Sequence, residues 1–243
     1  MHLTRSPEVR FAGDAALLME FGDMPDPKTN RAVHQTARAV TQAAIPGVWG
    51  VVPAYTTLLV EFDPGTIGAM ALKERLLTLE IDDLAEKPRC FEIPTAYGGE
   101  FGLDFDEVAA KLALAPEDLI AEHVRHRYQI YCLGFSPGFP LAGLLPESLR
   151  LPRRASPRTQ VPPGTVAIAG FQTGVYPSES PGGWHLIGRT PARLFYRDRE
   201  PPVLYAPGDF LCFRPIDAEE YRHLAEISVQ GEWVIREVTD GSY

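Results

Sequence analysis

From Tyr128 onward, short apolar runs alternate with glycine- and proline-rich turns, and this alternation constrains the fold more than any other feature. "YQIYCLGF", "GTVAIAG", "WHLIG", "RLFY", "PVLYAPGDFLCFRPI" and "EWVIREV" read as strands. Turns at intervals of about 8–12 residues predict a closed β-barrel or a sandwich. "DAEEYRHLAE" reads as a short helix just before the last strand. Two more helices, "DEVAAKLAL" and "PEDLIAEHVRH", precede Tyr128, and Pro116 suits a first helical position.

The N-terminal third has a different texture. "RFAGDAALLMEFGD" reads as two strands broken at Gly13-Asp14, and "GVWGVVPAYTTLLVEFDP" as two more around Pro53. Between them Val33, Ala37, Val40 and Ala44 mark one apolar helical face that starts after Pro27 and ends at Pro46-Gly47. A second helix is predicted from about Thr66, carrying Ile67, Met70, Leu76 and Leu77. Strand, strand, helix, strand, strand, helix predicts a small sheet with helices on one face. The charged "EIDDLAEKPRC" predicts a linker over 82–89.

Composition excludes more than it assigns. A net charge of -9 argues against a phosphate-binding groove, because nucleic-acid affinity comes largely from clustered Lys and Arg. No run approaches the ~18 apolar residues of a membrane span, and the N-terminus lacks the pattern of a signal peptide. Cys90, Cys132 and Cys212 are expected to be buried, reduced thiols of a cytoplasmic protein, since no CxxC or Cys/His ligand spacing appears. The chain is read as lacking a P-loop, a GxGxxG turn, a GxSxG elbow and HExxH.

What remains is a concentration of glycine and proline motifs: "YGGEFG", "GFSPGFPLAG", "PRRASPRTQVPPGTVAIAG", "QTGVYPSESPGGWHLIGRTP" and "APGD". Each alone reads as a barrel corner; several converging at one barrel mouth would form a small-molecule pocket. Arg153, Arg154 and Arg158 lie in a proline-stiffened segment, as carboxylate- or phosphate-binding forks or as a solvated loop. On a strand, Trp184 and Leu186 share one face while His185 and Ile187 take the other. His185 is then either a general acid/base or a structural histidine. Gln172 and Thr173 can offer hydrogen bonds at a strand end. His123 and His126 read as surface or helix-terminal residues. Cys132 is a nucleophile only if a base reaches it.

On these motifs, and on "GDAALLMEFGD" and "TTLLVEFDP", the sequence resembles the B-type subunit of bacterial 5-oxoprolinase, a family also called KipI or allophanate hydrolase subunit 1. It also resembles the C/D part of the carboxyltransferase domain of urea amidolyase. "GLDF" at 102–105 departs from the family's usual Gly-Pro-Asp-Leu.

The resemblance implies an α+β chain: a ferredoxin-like domain over residues 1–85, then a cyclophilin-like β-barrel domain over 90–240. It implies a KipA or allophanate-hydrolase-subunit-2-type partner and a LamB/YcsF-like third subunit. The implied reaction is ATP-dependent opening of the 5-oxoproline lactam to L-glutamate, with ATP used by the complex and no nucleotide site located in this chain. Its motif positions fall on Gly134, Pro137, Gly138, Phe139, Arg158, Gln172, Tyr176, Gly182, Gly183, Trp184, Gly188 and Arg189. The expected catalytic set is His185 lining the pocket, Gln172 orienting substrate and Arg158 binding an anionic group. Gly134, Pro137, Gly138, Phe139, Tyr176, Gly183 and Arg189 are expected to bind substrate, with no metal, nucleic acid or membrane involved. Rival implications are a KipI-type inhibitor of a sensor histidine kinase, or the carboxyltransferase part of a urea-amidolyase-like system.

Overall fold

The computed structural model describes residues 7–81 and 87–238. Most of the predicted linker, 82–86, and the first six residues, with which the signal-peptide reading begins, lie outside the described residues. The chain divides into two compact units, Met1–Lys87 and Pro88–Tyr243.

The first unit is an antiparallel sheet of β1 (Glu8–Phe11), β2 (Ala16–Glu20), β3 (Val48–Pro53) and β4 (Thr57–Phe62), in the order β1-β2-β4-β3. Alternation decides which face is buried: Leu17, Met19, Leu58, Val60 and Phe62 pack inward, together with Val33, Ala37 and Val40 of helix α1 (Pro27–Gln42). Asp26 caps α1, its carboxylate accepting from the Lys28 and Thr29 amides at 2.9 and 3.1 Å, and Pro27 opens the first turn.

Helix α2 (Ala69–Leu77) begins later than the predicted Thr66. Asp63 holds residues 63–66 in a turn, accepting from the Gly65 amide at 2.9 Å and the Thr66 hydroxyl at 2.7 Å. The shift changes the buried face. Leu72 and Leu76 pack inward, whereas Met70 and Leu77 are exposed.

The second unit is built on a barrel. Among the described residues, seven strands close into a ring: β5 (Cys90–Tyr97), β6 (Tyr128–Leu133), β7 (Pro140–Gly143), β9 (Thr165–Ala169), β10 (Gln172–Val175), β12 (His185–Arg189) and β13 (Phe210–Pro215). The ring order is β12-β9-β10-β7-β6-β13-β5, and closure comes from Gly188 opposite Tyr97 and Arg189 opposite Ala96. Only β13 and β5 run parallel. Strand β14 (Arg236–Val238) pairs with the first residues of β5, leaving the later ones to β12. A separate pair, β8 (Arg158–Val161) and β11 (Ser180–Gly182), forms its own small ribbon.

"RLFY" forms no strand. It follows Pro191, and the Tyr196 amide donates instead to the Pro202 carbonyl at 2.9 Å, while Leu194 still enters the core.

Ile93, Ile130, Ala142, Val166, Ile168, Val175, Ile187 and Leu211 fill the barrel interior, joined by Val108 of α3 (Phe105–Leu112) and Leu119 of α4 (Pro116–Val124). Of the two expectations for His123, a surface or a helix-terminal residue, the second holds: it lies in the last turn of α4. It shares a helix face with Leu119, is fully buried, stacks against Tyr128 and meets Phe213 at a tilt. Helix α5 (Ala218–Val229) opens on Asp217, whose carboxylate accepts from the Glu220 amide at 2.8 Å. Among the described residues no helix is long and apolar enough to cross a membrane.

Candidate functional site

Strand alternation places a second apolar cluster outside the ring. Along β9, Val166 and Ile168 point inward, whereas Ala167 and Ala169 belong to a cluster with Phe139, Val161, Tyr176, Trp184 and Leu186. This outer cluster is not fully packed. A cleft of about 220 Å³ opens in it, lined by Phe135, Phe139, Leu141, Arg153, Tyr176, Pro181, Gly182, Gly183 and Trp184. This cleft lies on the barrel's outer wall, beside β7 and β9, whereas the sequence reading places a pocket at a barrel mouth if the loops converge there.

Phe139 is the centre of the wall. Its ring meets Phe135, Tyr176 and Trp184 edge-on, at centroid distances of 5.5, 5.0 and 5.7 Å. Two glycines make this packing possible. A Cβ on Gly182 would run into the Tyr176 hydroxyl, and Gly138 holds φ at +81° with Phe195 and Leu194 close by. Phe135, at the tip of the β6–β7 turn, is 66% exposed and left-handed at φ +68°. That conformation is strained for a side chain of this size.

The pentapeptide Gly134–Gly138 does carry the letters GxSxG, which corrects the sequence reading. It joins two strands, β6 and β7, rather than a strand to a helix. The Ser136 oxygen is buried with no hydrogen-bond partner, and so no activating base, among the described residues.

Behind the cleft stands Asp104, which is 2% exposed. Both of its oxygens are engaged by Arg158, at 2.8 and 2.6 Å, and it also accepts from Arg154 and from the Leu186 amide, each at 2.8 Å. Arg154 in turn donates its own amide to the Gly183 carbonyl at 2.8 Å. The 153–158 segment is thus fastened to the wall carrying Gly183 and Trp184. Arg153, the neighbour of Arg154, is exposed at the cleft, with no ion pair or hydrogen bond to a described residue. Burial raises the Tyr176 phenol above its usual pKa, while Arg153 and the Trp184 amide act in the opposite direction.

The cleft brings together three of the predicted binding residues, Phe139, Tyr176 and Gly183, along with Gly182 and Trp184 of the motif. Gly134, Pro137 and Gly138 shape the same β6–β7 turn without lining the cleft. The other predicted residues lie apart from it. His185 is buried, and its Nε2–H donates to the Pro152 carbonyl at 2.9 Å, with Nδ1 unpartnered among the described residues. Gln172 starts β10 opposite Ala169 and Gly143. Arg158 is held by Asp104, and Arg189 lies beside Tyr221 of α5.

Sequence reasoning passed over Phe135, Leu141, Pro181 and Asp104. Phe135 sits inside the quoted "GFSPGF", and Asp104 is the aspartate of the noted "GLDF". Cys90, Cys132 and Cys212 are buried thiols outside any disulfide among the described residues, and burial pushes the Cys132 thiol up to about 11.

The family model for the carboxyltransferase domain, subdomain C and D, matches residues 7–205. The chain belongs to that family. It is 38% identical to the B-type subunit of 5-oxoprolinase from Bacillus subtilis (strain 168), over 91% of this chain and 98% of that protein. It is 25% identical to the urea amidolyase of Lachancea kluyveri, over 95% of this chain but only 14% of that protein. The solved structure of TTHA0988 superposes with a TM-score of 0.76 at 37% identity, covering 87% of this chain and 40% of that one. The cleft, the Asp104 clamp and the motif positions fall within the residues that match the carboxyltransferase subdomain C and D family.

Proposed function

We propose that this chain is the B-type subunit of a cytoplasmic, ATP-dependent 5-oxoprolinase that opens the 5-oxoproline lactam to L-glutamate. One observation carries the reading: 38% identity extends over 98% of the Bacillus subtilis B-type subunit of 5-oxoprolinase. The first unit is read as ferredoxin-like, spanning about residues 1–85, and the second as cyclophilin-like, spanning about 90–240.

The chemistry explains why such a subunit works in company. An unstrained lactam is a poor electrophile, and transfer of a phosphoryl group to its carbonyl oxygen activates the carbon for attack by water. A cleft of about 220 Å³ suits one small ring and is below the roughly 300–1,000 Å³ of drug-sized sites. ATP is therefore assigned to another subunit or to a shared surface. The partners are a KipA or allophanate-hydrolase-subunit-2-type chain and a LamB/YcsF-type chain. The greater length of TTHA0988, of which this chain covers 40%, is consistent with such a module acting beside further domains. Within this chain Phe139, Tyr176 and Gly183 contact substrate and Gly134, Pro137 and Gly138 shape the turn that carries Phe139. Arg158, Gln172, His185 and Arg189 act through the frame around the cleft.

Coexpression with the A- and C-type subunits tests the reading, with phosphate release measured against 5-oxoproline, urea and allophanate. We expect release that depends on 5-oxoproline and on all three chains. A stable complex that responds to urea or allophanate instead would favour a urea-amidolyase-like role, to which the 25% identity over 95% of the chain points.

A further inference from the structure

The residues at the outer-wall cleft divide their labour by charge. Arg153 and Arg154 are adjacent in a segment without regular structure, and their side chains take opposite roles. Arg154 turns to Asp104 at 2.8 Å and Glu107 at 3.3 Å, so its charge is answered inside the protein. Arg153 lines the cleft, and no described carboxylate pairs with it although the chain carries a net charge of -9. The backbone bond from Arg154 to Gly183 fixes the segment in register with the opposite wall. The remaining lining is aromatic or apolar: Phe135, Phe139, Leu141, Tyr176, Pro181 and Trp184.

From this arrangement we propose that the cleft recognises a small ring bearing one carboxylate, with Arg153 as the anion's partner. The aromatic edges and the Gly182-Gly183 backbone grip the ring, and the Arg153 fork takes the carboxylate from the open side. Phe135, strained and exposed at the rim, covers the ring's outer face. A dicarboxylate would leave one charge unanswered. The inference rests on the function proposed above only for the natural ligand, since 5-oxoproline is one member of this class.

Calorimetric titration of the full chain and of the assembled complex tests it with three probes. These are 5-oxoproline, cyclopentanecarboxylate (ring and carboxylate, no lactam) and 2-pyrrolidinone (lactam, no carboxylate). Both carboxylates are expected to bind at least about tenfold more tightly than 2-pyrrolidinone, the range set by a charge-assisted hydrogen bond. Arg153→Ala should abolish that difference while leaving 2-pyrrolidinone affinity unchanged, and Arg153→Lys should restore part of it. Arg153 is exposed, so the variants are expected to fold, and circular dichroism checks that they do. The proposal is overturned if 2-pyrrolidinone binds as tightly as 5-oxoproline, if Arg153→Ala leaves carboxylate affinity intact, or if neither protein binds any probe. Turnover of 5-oxoproline with unchanged KM in Arg153→Ala would sink this inference and leave the proposed function standing. Arg153-dependent binding without turnover would do the reverse.

Discussion

The barrel interior and the outer wall beside β9 are both aromatic, yet they treat polar groups in opposite ways. Inside, His123 is fully enclosed and each ring nitrogen has a partner. The Thr173 hydroxyl donates to the Ala167 carbonyl at 3.3 Å, so it accepts from His123 Nε2–H at 3.1 Å. Nδ1 is then free to accept from the Tyr97 hydroxyl at 2.8 Å. On the wall, Arg153 has no described partner, and Phe135 keeps a strained backbone and an exposed ring. Around His123 the interior satisfies itself and is scaffold. The wall leaves apolar surface and a charge for something else to satisfy.

Asp104 joins the two regions, and its removal is the most severe way to break the contrast. Asp104→Ala strands two arginines and the Leu186 amide beside a buried site. Breaking a buried ion pair from one side costs about 3–5 kcal/mol, read as a fall in the urea midpoint. Losing under about 1 kcal/mol would mean that water already screens the cluster and that the wall is not held from behind.

Gly182→Ala attacks the wall alone. The new methyl group would displace the Tyr176 hydroxyl, and overpacking of this kind costs about 1–3 kcal/mol. Nuclear magnetic resonance shifts should be confined to residues around Tyr176 and Trp184, leaving His123 and Tyr128 unmoved. Shifts that reach the interior would erase the distinction between the two regions.

The interior has its own signature in pH. Burial, with His126 adding to it, holds the His123 pKa down to about 3, against about 6.5 in the unfolded chain. The unfolded state therefore takes up the proton first as pH falls. This contribution to stability is complete above about pH 6.5 and shrinks by about 1.4 kcal/mol per unit below it, until the folded pKa is reached. Between pH 7 and 5 the loss is about 2 kcal/mol, and denaturation of a His123→Asn variant should show that much less pH dependence. Equal slopes in both proteins would mean that His123 is not buried neutral.

Much of this layout was legible in the sequence where local physics decides. The Asp26-Pro27 start and the Val33, Ala37 and Val40 spacing mark α1 without help from the rest of the chain. Turn spacing after Tyr128 announces the strands in the same way. What was hidden depends on distant partners. Arg153, Arg154 and Arg158 look alike in "PRRASPR", and their roles are sorted by Asp104, about fifty residues away. The Asp63 turn delays α2, so Leu72 rather than Met70 faces the sheet. Closure between β12 and β5 decides which side of β9 is interior, and so places this cleft on the outer wall.

The smallest expected effect sharpens the contrast most. Phe135 and Phe139 lie four residues apart in one turn, and their rings meet at 5.5 Å. Phe139 is buried to 2% exposure, and Phe139→Ala should cost about 3–5 kcal/mol, as for any large core aromatic. Phe135→Gly differs in kind. Relief of the left-handed backbone gains about 1–2 kcal/mol, while added chain entropy and lost ring contacts take back a similar amount. Net stability should then move by less than about 1 kcal/mol. Affinity for 5-oxoproline, in contrast, should fall several-fold, because the rim ring no longer covers the ligand. A variant that unfolds as readily as Phe139→Ala would make Phe135 a packing residue. A variant that keeps both stability and affinity would leave its strained, exposed conformation without a use at this site.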